Sequence, residues 1–327
     1  MHGGDTMNAI SGSSAPAQER RFPVRSDAGL AALWETWVDH TRAVMHINHE
    51  GTGDDLNDLN GHMEECLIAA EAQFDDAFRR IGSALAQPVR RILEVGCSTG
   101  FKPFALQRRF PDAEIFGVDL DTDAIALAQG IAARLDPERM SRVPTFVEGV
   151  GEDLPFDDSS FDLVICLTTI EHVADVDRVL AEIARVLRGG GVLYLEAPNY
   201  LWPYEPHVGA VMPPLCPKPL LRLLVRLQGK ASQAPFVDHL KFVHPHWLER
   251  DFDALGLTWR NVYLEKMREV LSGKSEAIAY PRLGGILRLL DRLRLASVLM
   301  APFVWAGIYP SVMYVATKPT SVGTSGR

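Results

Sequence analysis

The segment RILEVGCSTGF, Arg91–Phe101, decides the fold class. It begins as an apolar run typical of a buried strand and continues into a turn that contains Gly96 and Gly100. Glycine lets the backbone turn sharply and approach a ligand where a side chain would clash. The residues after the turn indicate a helix with Pro103 in its first turn, where proline is tolerated. The segment therefore predicts a strand, a ligand-binding turn and a helix.

The same two patterns alternate further along the chain. Short apolar runs predict strands at residues 91–95, 114–118, 145–148, 161–167 and 191–197, with helical patterns between them. Two late strands are predicted at 258–263 and 312–317. Such alternation indicates a parallel sheet with right-handed crossovers. The predicted fold class is α/β, with a doubly wound, mostly parallel, seven-stranded sheet of the Rossmann-like type.

Composition excludes some partners. The formal net charge of -9 and the pI near 5.6 argue against nucleic acid, whose binding depends on clustered Lys and Arg. The four cysteines are far apart and form no CxxC pair, so neither a zinc site nor a disulfide framework is predicted. Cysteine usage of this kind fits a reducing cytosol.

A carboxylate beside the glycine turn narrows the choice of cofactor. The dinucleotide fingerprint G-x-G-x-x-G/A would place Ser98 and Phe101 at its second and third glycine positions. Glu94 ends the strand next to the turn, where its charge would repel a phosphate. S-adenosylmethionine (SAM) has no phosphate and carries an ammonium and a sulfonium. The acid favours SAM over NAD, and an NAD-dependent oxidoreductase is the alternative.

A second acid ends the next predicted strand. Asp119 occupies the position from which an acid accepts hydrogen bonds from ribose hydroxyls in open α/β folds. Helix capping is the other interpretation, but Asp121 and Asp123 are better placed for that role. Asp119 is therefore predicted to bind ribose.

Four segments between about Arg90 and Asn199 resemble the successive motifs of class I SAM-dependent methyltransferases, especially the group related to ubiquinone-biosynthesis methyltransferases. They are ILEVGCSTG, GVDLD, VEGVGEDLPFDDSSFDLVICLTTIEHV and LAEIARVLRGGGVLYLEAPN. The resemblance is specific for SAM binding and says little about the substrate.

The resemblance implies a set of cofactor-binding residues. These are Glu94, Gly96, Ser98 and Gly100 at the methionine moiety, Asp119 and Leu120 at ribose and adenine, Gly151 and Glu152 at the adenine edge, and Leu167 over the cofactor. Val150 departs from the pattern because relatives commonly have Asp there, so a side-chain hydrogen bond to the adenine amino group is missing. Ser98 in place of a common glycine is a milder departure.

Composition and patterning, together with the resemblance, predict a domain scheme. Residues 1–25 are predicted to be a disordered leader, since they lack the basic start and apolar core of a signal peptide. Residues 26–88 form an N-terminal helical cap, and 89–327 form the SAM-binding domain. That domain carries an insertion at 200–240, interpreted as an irregular, apolar lid over the methyl acceptor, and an apolar helical insertion at 266–308.

The predicted catalytic residues are His207, Glu205 and His172. His is the usual general base because its pKa lies near neutrality. His172 follows the fourth strand, where capping or packing of the next helix is the alternative role. Glu205 and His207 lie in NYLWPYEPHVG after the fifth strand, at the sheet edge where ligands of open α/β folds bind.

Three further residues are placed on the acceptor side: Asn199, Tyr204 and His239. The last belongs to VDHLKFVHPHW, a His-rich stretch that invites a metal hypothesis. It lacks the spacing of a helical HxxxH site, and Pro245 interrupts it. A structural role is therefore predicted for this stretch, and no metal.

Two basic, leucine-rich stretches suggest contact with a membrane surface. Residues 218–230, KPLLRLLVRLQGK, place four cations at a spacing of four, as in interfacial helices on anionic lipid. GILRLLDRLRL, with Arg288 and Arg292, has the same spacing. A lid with a solvated basic edge is the alternative. Residues 295–317 lack charged side chains, but prolines and a glycine interrupt them, so a buried helix followed by a strand is predicted instead of a span.

The predicted function is methyl transfer from SAM, most readily to an oxygen of a small metabolite that is sugar- or lipid-linked. Carbon and nitrogen acceptors are alternatives, as is a non-catalytic SAM-binding scaffold. The predicted location is the cytoplasm, with peripheral attachment to the inner face of the membrane left open.

Overall fold

The computed structural model of the chain describes Val24 and residues 27–45, 59–85, 88–135, 140, 142–271 and 302–320. The chain divides into two compact units, Met1–Val44 with Asn48–Val150, and Met45–Ile47 with Gly151–Arg327. The sequence-based boundary at residues 88 and 89 differs from this division, and that domain scheme stays a prediction. Apart from Val24, the predicted leader lies outside the described residues, as do residues 272–301 of the second insertion.

The 3₁₀ helix Gly82–Ala84 follows the second helix of the first unit. Apart from it, the described residues of this unit form three parallel strands and four α-helices. They are α1 (Ala28–Met45), α2 (Leu59–Ile81), β1 (Arg91–Val95), α3 (Phe101–Arg109), β2 (Glu114–Asp119), α4 (Thr122–Ala132) and β3 (Thr145–Glu148). In the register of this unit, Glu94 on β1 pairs with Gly117 on β2, and Asp119 pairs with Glu148 on β3. The two acids therefore lie at the carboxyl ends of neighbouring strands.

The two N-terminal helices pack through aromatic side chains. The ring of His62 on α2 lies 5.0 Å from the Trp34 ring on α1 and 5.7 Å from the Phe101 ring at the start of α3. His40 on α1 contacts the Asp123 carboxylate on α4 at 2.6 Å. Because Trp34 and Phe101 are buried, the apolar contacts supply the main stabilisation here.

The second unit contains the remaining strands and helices. They are β4 (Phe161–Leu167), α5 (Val176–Val186), β5 (Leu187–Pro198), β6 (Tyr204–Glu205), β7 (Ala210–Val211), α6 (Lys218–Leu227), the 3₁₀ helix Ala231–His239, α7 (Pro245–Ala254), β8 (Thr258–Asn261), α8 (Tyr263–Leu271) and β9 (Ser311–Thr317). β4 and β5 are parallel, whereas β9 is antiparallel to both β5 and β8.

The main sheet has seven strands in the order β3-β2-β1-β4-β5-β9-β8. This confirms the predicted doubly wound, mostly parallel, seven-stranded α/β fold. The predicted strand positions also hold, including the last strand. β5 starts four residues before its apolar pattern, because Leu187 pairs with Phe161 ahead of a register shift and the glycines at 189–191 follow.

The segment predicted as an irregular lid, 200–240, is more regular than expected. It forms the small hairpin β6–β7, α6 and the 3₁₀ helix. Glu205 is buried in the hairpin, and Gly209 takes a left-handed backbone with φ of 62° in its turn. The hydrophobic pattern missed this hairpin because each of its strands has only two residues.

In the part of the chain that the structure describes, no helix is long and apolar enough to cross a membrane. The second basic stretch, with Arg288 and Arg292, lies outside the described residues. Of the charge-free run, residues 302–317 are described, and they end in β9 as predicted. The predicted burial of the preceding helix is wrong for Phe303 and Trp305, which are 50% and 86% exposed.

Candidate active site

The turn after β1 has a backbone conformation that explains its glycines. Gly96, Ser98 and Gly100 all have positive φ, at 76°, 47° and 85°. A Cβ on Gly100 would lie 2.6 Å from the Phe146 ring, closer than real contacts allow. Gly100 is therefore required both by its left-handed backbone and by the lack of space. Ser98 adopts the left-handed conformation although, unlike glycine, it carries a side chain.

Asp119 stabilises this turn with its side chain. One carboxylate oxygen accepts the Ser98 N–H at 2.7 Å, and the other accepts the Asp121 N–H at 3.0 Å. An ionised carboxylate offers about four lone-pair sites, so acceptor capacity is left for a ligand. Asp121 caps α4 by accepting the N–H groups of Asp123 and Ala124. Of the two residues predicted to be better placed for capping than Asp119, Asp121 is the cap, whereas Asp123 lies in the first turn of α4.

Glu94 is a fully buried carboxylate beside the same turn. Among the described residues, neither of its oxygens has a hydrogen-bond partner, and the Lys102 ammonium lies 3.5 Å from one of them. Burial raises the pKa of Glu94 to about 7, although the Lys102 charge lowers it. Buried polar groups without hydrogen bonds are costly. A cationic ligand with N–H donors would relieve that cost.

Lys102 was missed by the sequence-based reasoning. It lies in the first turn of α3, two residues after Gly100, and faces the end of β1. The only signal was a cation next to the glycine turn, and no pattern in the sequence linked it to Glu94. Leu120, directly after Asp119, has an exposed side chain, as does Val150. Both can offer an apolar surface to a planar ring.

Three predicted cofactor residues belong to the second unit. The Glu152 carboxylate accepts the N–H groups of Ala174 and Asp175 at 2.7 and 3.0 Å, so it holds the segment that leads into α5. Gly151 precedes it, and Leu167 is buried at the end of β4. The roles of Gly151 and Glu152 at the adenine edge and of Leu167 over the cofactor stay predictions.

The second unit brings the predicted catalytic residues together. Glu205 is fully buried and accepts His207 Nδ1 at 2.6 Å, the His207 N–H at 3.2 Å and the Val208 N–H at 2.7 Å. The Tyr200 hydroxyl lies 3.4 Å from the same carboxylate. Glu205 thereby fixes the orientation of the His207 ring. This arrangement is typical of a carboxylate that positions an imidazole.

His207 and His172 both lie close to a second acid, Glu171. Their Nε2 atoms lie 3.7 and 3.9 Å from Oε1 of Glu171, which is buried. The two imidazole rings are 4.8 Å apart and nearly perpendicular. Phe236, from the 3₁₀ helix, contacts both rings at 5.7 and 5.9 Å. We call Glu171, His172, Glu205 and His207 the His/Glu cluster.

The two imidazoles differ in acidity. Burial, with help from His207, lowers the pKa of His172 to about 4, so this ring is neutral at physiological pH and a weak base. Burial also acts to lower the pKa of His207, but the hydrogen bond to Glu205 and the charges of Glu205 and Glu171 outweigh it and raise the pKa. His207 is therefore the stronger proton acceptor of the two.

The three residues predicted on the acceptor side, Asn199, Tyr204 and His239, have different surroundings. Asn199 is buried, and its amide donates to the carbonyls of Gly307 and Tyr309 at 2.7 and 2.6 Å while accepting the Leu201 N–H. These bonds fasten the end of β5, and they occupy the amide. Tyr204 is half-buried on β6, and His239 is exposed with its ring 6.5 Å from that of Phe236. Their contact with an acceptor stays a prediction.

Tyr200 and Phe236 were missed: Tyr200 lies within NYLWPYEPHVG but was not selected from it, and Phe236 belongs to no recognised motif. Tyr200 stacks on Phe242 with ring centroids 4.7 Å apart and planes at 7°. It therefore stands as a rigid wall behind Glu205. No pattern in the sequence could have linked these aromatic residues to His207, because their contacts depend on the tertiary fold.

The His-rich stretch has structural contacts. His244 caps α7 by accepting the Trp247 N–H, and Asp238 accepts Arg222 at 2.9 Å. Elsewhere, Glu171, His172 and His207 each present one ligand atom within 4.8 Å of the others. The sequence-based expectation of no metal stays a prediction, which a chelator can test.

Comparisons with known proteins agree with this geometry. Residues 93–195 match a family described as a methyltransferase domain. A demethylmenaquinone methyltransferase of Deinococcus radiodurans is 32% identical over 57% of this chain and 76% of its own length. An ajmaline N-methyltransferase of Rauvolfia serpentina is 28% identical over 49% of this chain and 52% of its own.

A fatty-acid O-methyltransferase of Mycolicibacterium smegmatis is 37% identical over 34% of this chain and 39% of its own length. The chain thus spans about half of the ajmaline enzyme and about two fifths of the fatty-acid enzyme. The similarity to the Deinococcus protein covers most of that relative. Together with the seven-stranded sheet and the turn after β1, it shows that the chain belongs to the class I SAM-dependent methyltransferases.

Proposed function

We propose that the protein is an enzyme that transfers a methyl group from SAM to an oxygen atom of a small acceptor, sugar- or lipid-linked. The observation that carries the proposal is the buried Glu94 carboxylate, with no hydrogen bond among the described residues, beside a left-handed glycine turn. SAM, the cofactor of this family, supplies a methyl group on a sulfonium and leaves as S-adenosylhomocysteine.

The residues of the first unit suit this cofactor. Glu94 would bind the ammonium of the methionine moiety, which supplies the hydrogen-bond donors that the carboxylate lacks among the described residues. Asp119 would accept the ribose hydroxyls with the lone pairs that the turn leaves unused. Leu120 would contact the adenine ring with its exposed side chain. A phosphate in this place would meet the charges of both acids.

Within the second unit, the His/Glu cluster suits an acceptor that must lose a proton. His207 would take the hydroxyl proton at Nε2 while its Nδ1–H donates to Glu205. Glu205 would stabilise the imidazolium that results. His172, with its low pKa, stays neutral and would position the acceptor as a hydrogen-bonding group. Orientation of the acceptor alone supplies roughly 7 to 11 kcal/mol in well-aligned reactions.

The acceptor atom is the least constrained part of the proposal. The names of the relatives include an N-methyltransferase and an O-methyltransferase. We favour oxygen because a hydroxyl of high pKa needs a base, and the His207–Glu205 pair is the arrangement that provides one. A nitrogen acceptor attacks with its own lone pair and would make less use of the base, whereas a carbon acceptor must also lose a proton and stays an alternative.

The test is an assay with methyl-labelled SAM and a panel of hydroxylated acceptors that contains phenols, glycolipids and fatty acids. The proposal expects a labelled methyl ether or ester together with S-adenosylhomocysteine. Labelled product on nitrogen or carbon alone would contradict the oxygen assignment. Tight SAM binding without product from the panel or from cell extract would favour a non-catalytic scaffold, and binding of NADH in place of SAM would favour an oxidoreductase.

A further inference from the structure

Helix α6 is oriented with an apolar face outward. Leu221 and Val225 are buried, whereas Leu220, Leu223 and Leu227 are between 40% and 73% exposed. Because a helix turns once every 3.6 residues, the exposed leucines share one face and the buried pair lies on the opposite side. A surface helix normally presents polar residues outward. Helix α6 therefore has two hydrophobic faces. The face with Leu221 and Val225 is packed, and the face with the three other leucines is exposed.

The exposed leucines belong to a larger patch. Val211 and Leu215 are 61% and 73% exposed, and Gln228 joins the end of α6 to Val211 through two hydrogen bonds of 2.9 Å. Of the 11 large hydrophobic residues that are exposed in the described part, five lie between residues 211 and 227. We call Val211, Leu215, Leu220, Leu223 and Leu227 the apolar lid face.

The charge around this face is positive in an acidic protein. Residues 206–237 contain four cations and no Asp or Glu, although the chain carries a net charge of -9. Asp238, directly after this stretch, neutralises Arg222. Lys218 and Lys230 donate to backbone carbonyls, Lys218 at 2.9 Å and Lys230 at 2.6 and 3.0 Å. Arg226 is exposed beside the leucines.

We propose that the apolar lid face docks on the surface of an anionic lipid bilayer. Interfacial helices insert an apolar face at the boundary of the acyl chains while flanking Lys and Arg meet the headgroups. α6 presents that combination. A second copy of this chain fits less well, because a two-fold interface would bring the same cations of both copies together.

The proposal gives the lid a role in acceptor access. Asp238, at the end of the 3₁₀ helix, accepts Arg222 on α6 at 2.9 Å, and Phe236 in the same 3₁₀ helix contacts the rings of His172 and His207. One side of the lid thus faces the His/Glu cluster while α6 faces the bilayer. Lipid docking goes beyond the proposed methyl transfer and is measured without SAM or acceptor, so either can fail alone.

The experiment is sedimentation of the full chain with vesicles of phosphatidylcholine alone or mixed with phosphatidylglycerol. We expect binding to the mixed vesicles that weakens with added salt, and little binding to phosphatidylcholine. The double variant Leu223→Glu/Leu227→Glu should lower vesicle affinity by about tenfold or more, since it removes two inserting side chains and adds two negative charges. Ile68→Glu on α2, at a residue that is 50% exposed, is the matched control and should bind as wild type does.

Three results would overturn the proposal. They are equal sedimentation of the double variant and the wild type, equal binding to both kinds of vesicle, and a wild-type dimer that the double variant abolishes. The last would assign the apolar lid face to a second copy. Thermal unfolding of the variants verifies that any loss of binding is not a loss of fold.

Discussion

Two of the buried glutamates, Glu94 in the first unit and Glu205 in the second, differ in what surrounds them. Glu94 has no hydrogen bond from a described residue and has only the Lys102 ammonium at 3.5 Å. Glu205 accepts hydrogen bonds from His207 Nδ1 and from two backbone N–H groups, and the Tyr200 hydroxyl lies 3.4 Å from it. The satisfied acid holds another side chain in place, whereas the unsatisfied acid is prepared for a charged ligand. Burial alone would not separate the two roles.

The comparison predicts different consequences when each region is altered. Changes around Glu94 should affect cofactor binding, and changes around Glu205 should affect turnover with the cofactor still bound. The following experiments test that separation.

The largest effect is expected at His207. His207→Asn removes the proposed base and should lower kcat by about a thousandfold, within the range for general-base catalysis, while SAM affinity is unchanged. The measurement is turnover at saturating SAM, paired with calorimetric SAM binding. His246→Asn is the control, because that exposed ring belongs to the His-rich stretch with structural contacts and lies against the Ala306 carbonyl at 3.3 Å. A loss of SAM affinity in His207→Asn would remove the distinction between the two regions.

The next effect is expected at Asp119. Asp119→Ala removes both the ribose acceptor and the hydrogen bond to Ser98, and should weaken SAM binding by about a hundredfold. Asp121→Ala is the matched control. It should lower the free energy of unfolding by about 1 kcal/mol through loss of the α4 cap, with SAM affinity kept. Equal SAM affinity in Asp119→Ala and wild type would exclude the ribose role.

A smaller effect concerns the pH dependence of turnover. The pKa of His207 is raised above 6.5 in the folded protein, so the neutral base forms only as pH rises through that raised value, and turnover should rise with it. Glu205→Gln removes the charge that favours the imidazolium and should move the rise to lower pH. The measurement is the ratio of the rate near pH 8 to the rate near pH 6 for each protein, because this ratio does not depend on the amount of active enzyme. If the pH profile of Glu205→Gln matched that of the wild type, Glu205 would not control the pKa of the base.

The smallest effect is expected from a chelator. If the His/Glu cluster works by proton transfer, EDTA should leave turnover unchanged. A loss of turnover that Mn²⁺ or Zn²⁺ restores would instead make Glu171, His172 and His207 metal ligands, whose atoms already lie within 4.8 Å of one another. The His172→Asn variant would then lose metal affinity measured by calorimetry.

Local sequence was sufficient to predict the turn after β1 and the acids at the ends of β1 and β2. The glycine turn, Glu94, Asp119 and the capping Asp121 all fall between residues 94 and 121, at the ends of two adjacent strands. Strand periodicity and turn chemistry act over such short distances. The ion pair between Lys102 and Glu94 was not predicted from the sequence, because it depends on how the side chains of α3 and β1 pack.

The acceptor side could be predicted only in part. His172, Glu205 and His207 were selected from their positions after strands, and the structure brings them together. Phe236 joins them from a distant 3₁₀ helix, which no local pattern reports. Asn199 also follows a strand, but its amide fastens β5 to the segment before β9. For α6, spacing predicted the basic stripe but not which leucines face outward.

The most direct test of the central claim is calorimetric titration of wild type and Glu94→Gln with SAM and S-adenosylhomocysteine. The pKa of Glu94 is raised to about 7, so its carboxylate forms as pH rises, and wild-type affinity should increase by about tenfold between about pH 6 and about pH 8. Glu94→Gln should bind both ligands more weakly and lose that increase. Equal affinity and equal pH dependence in the two proteins would show that Glu94 does not hold the cofactor.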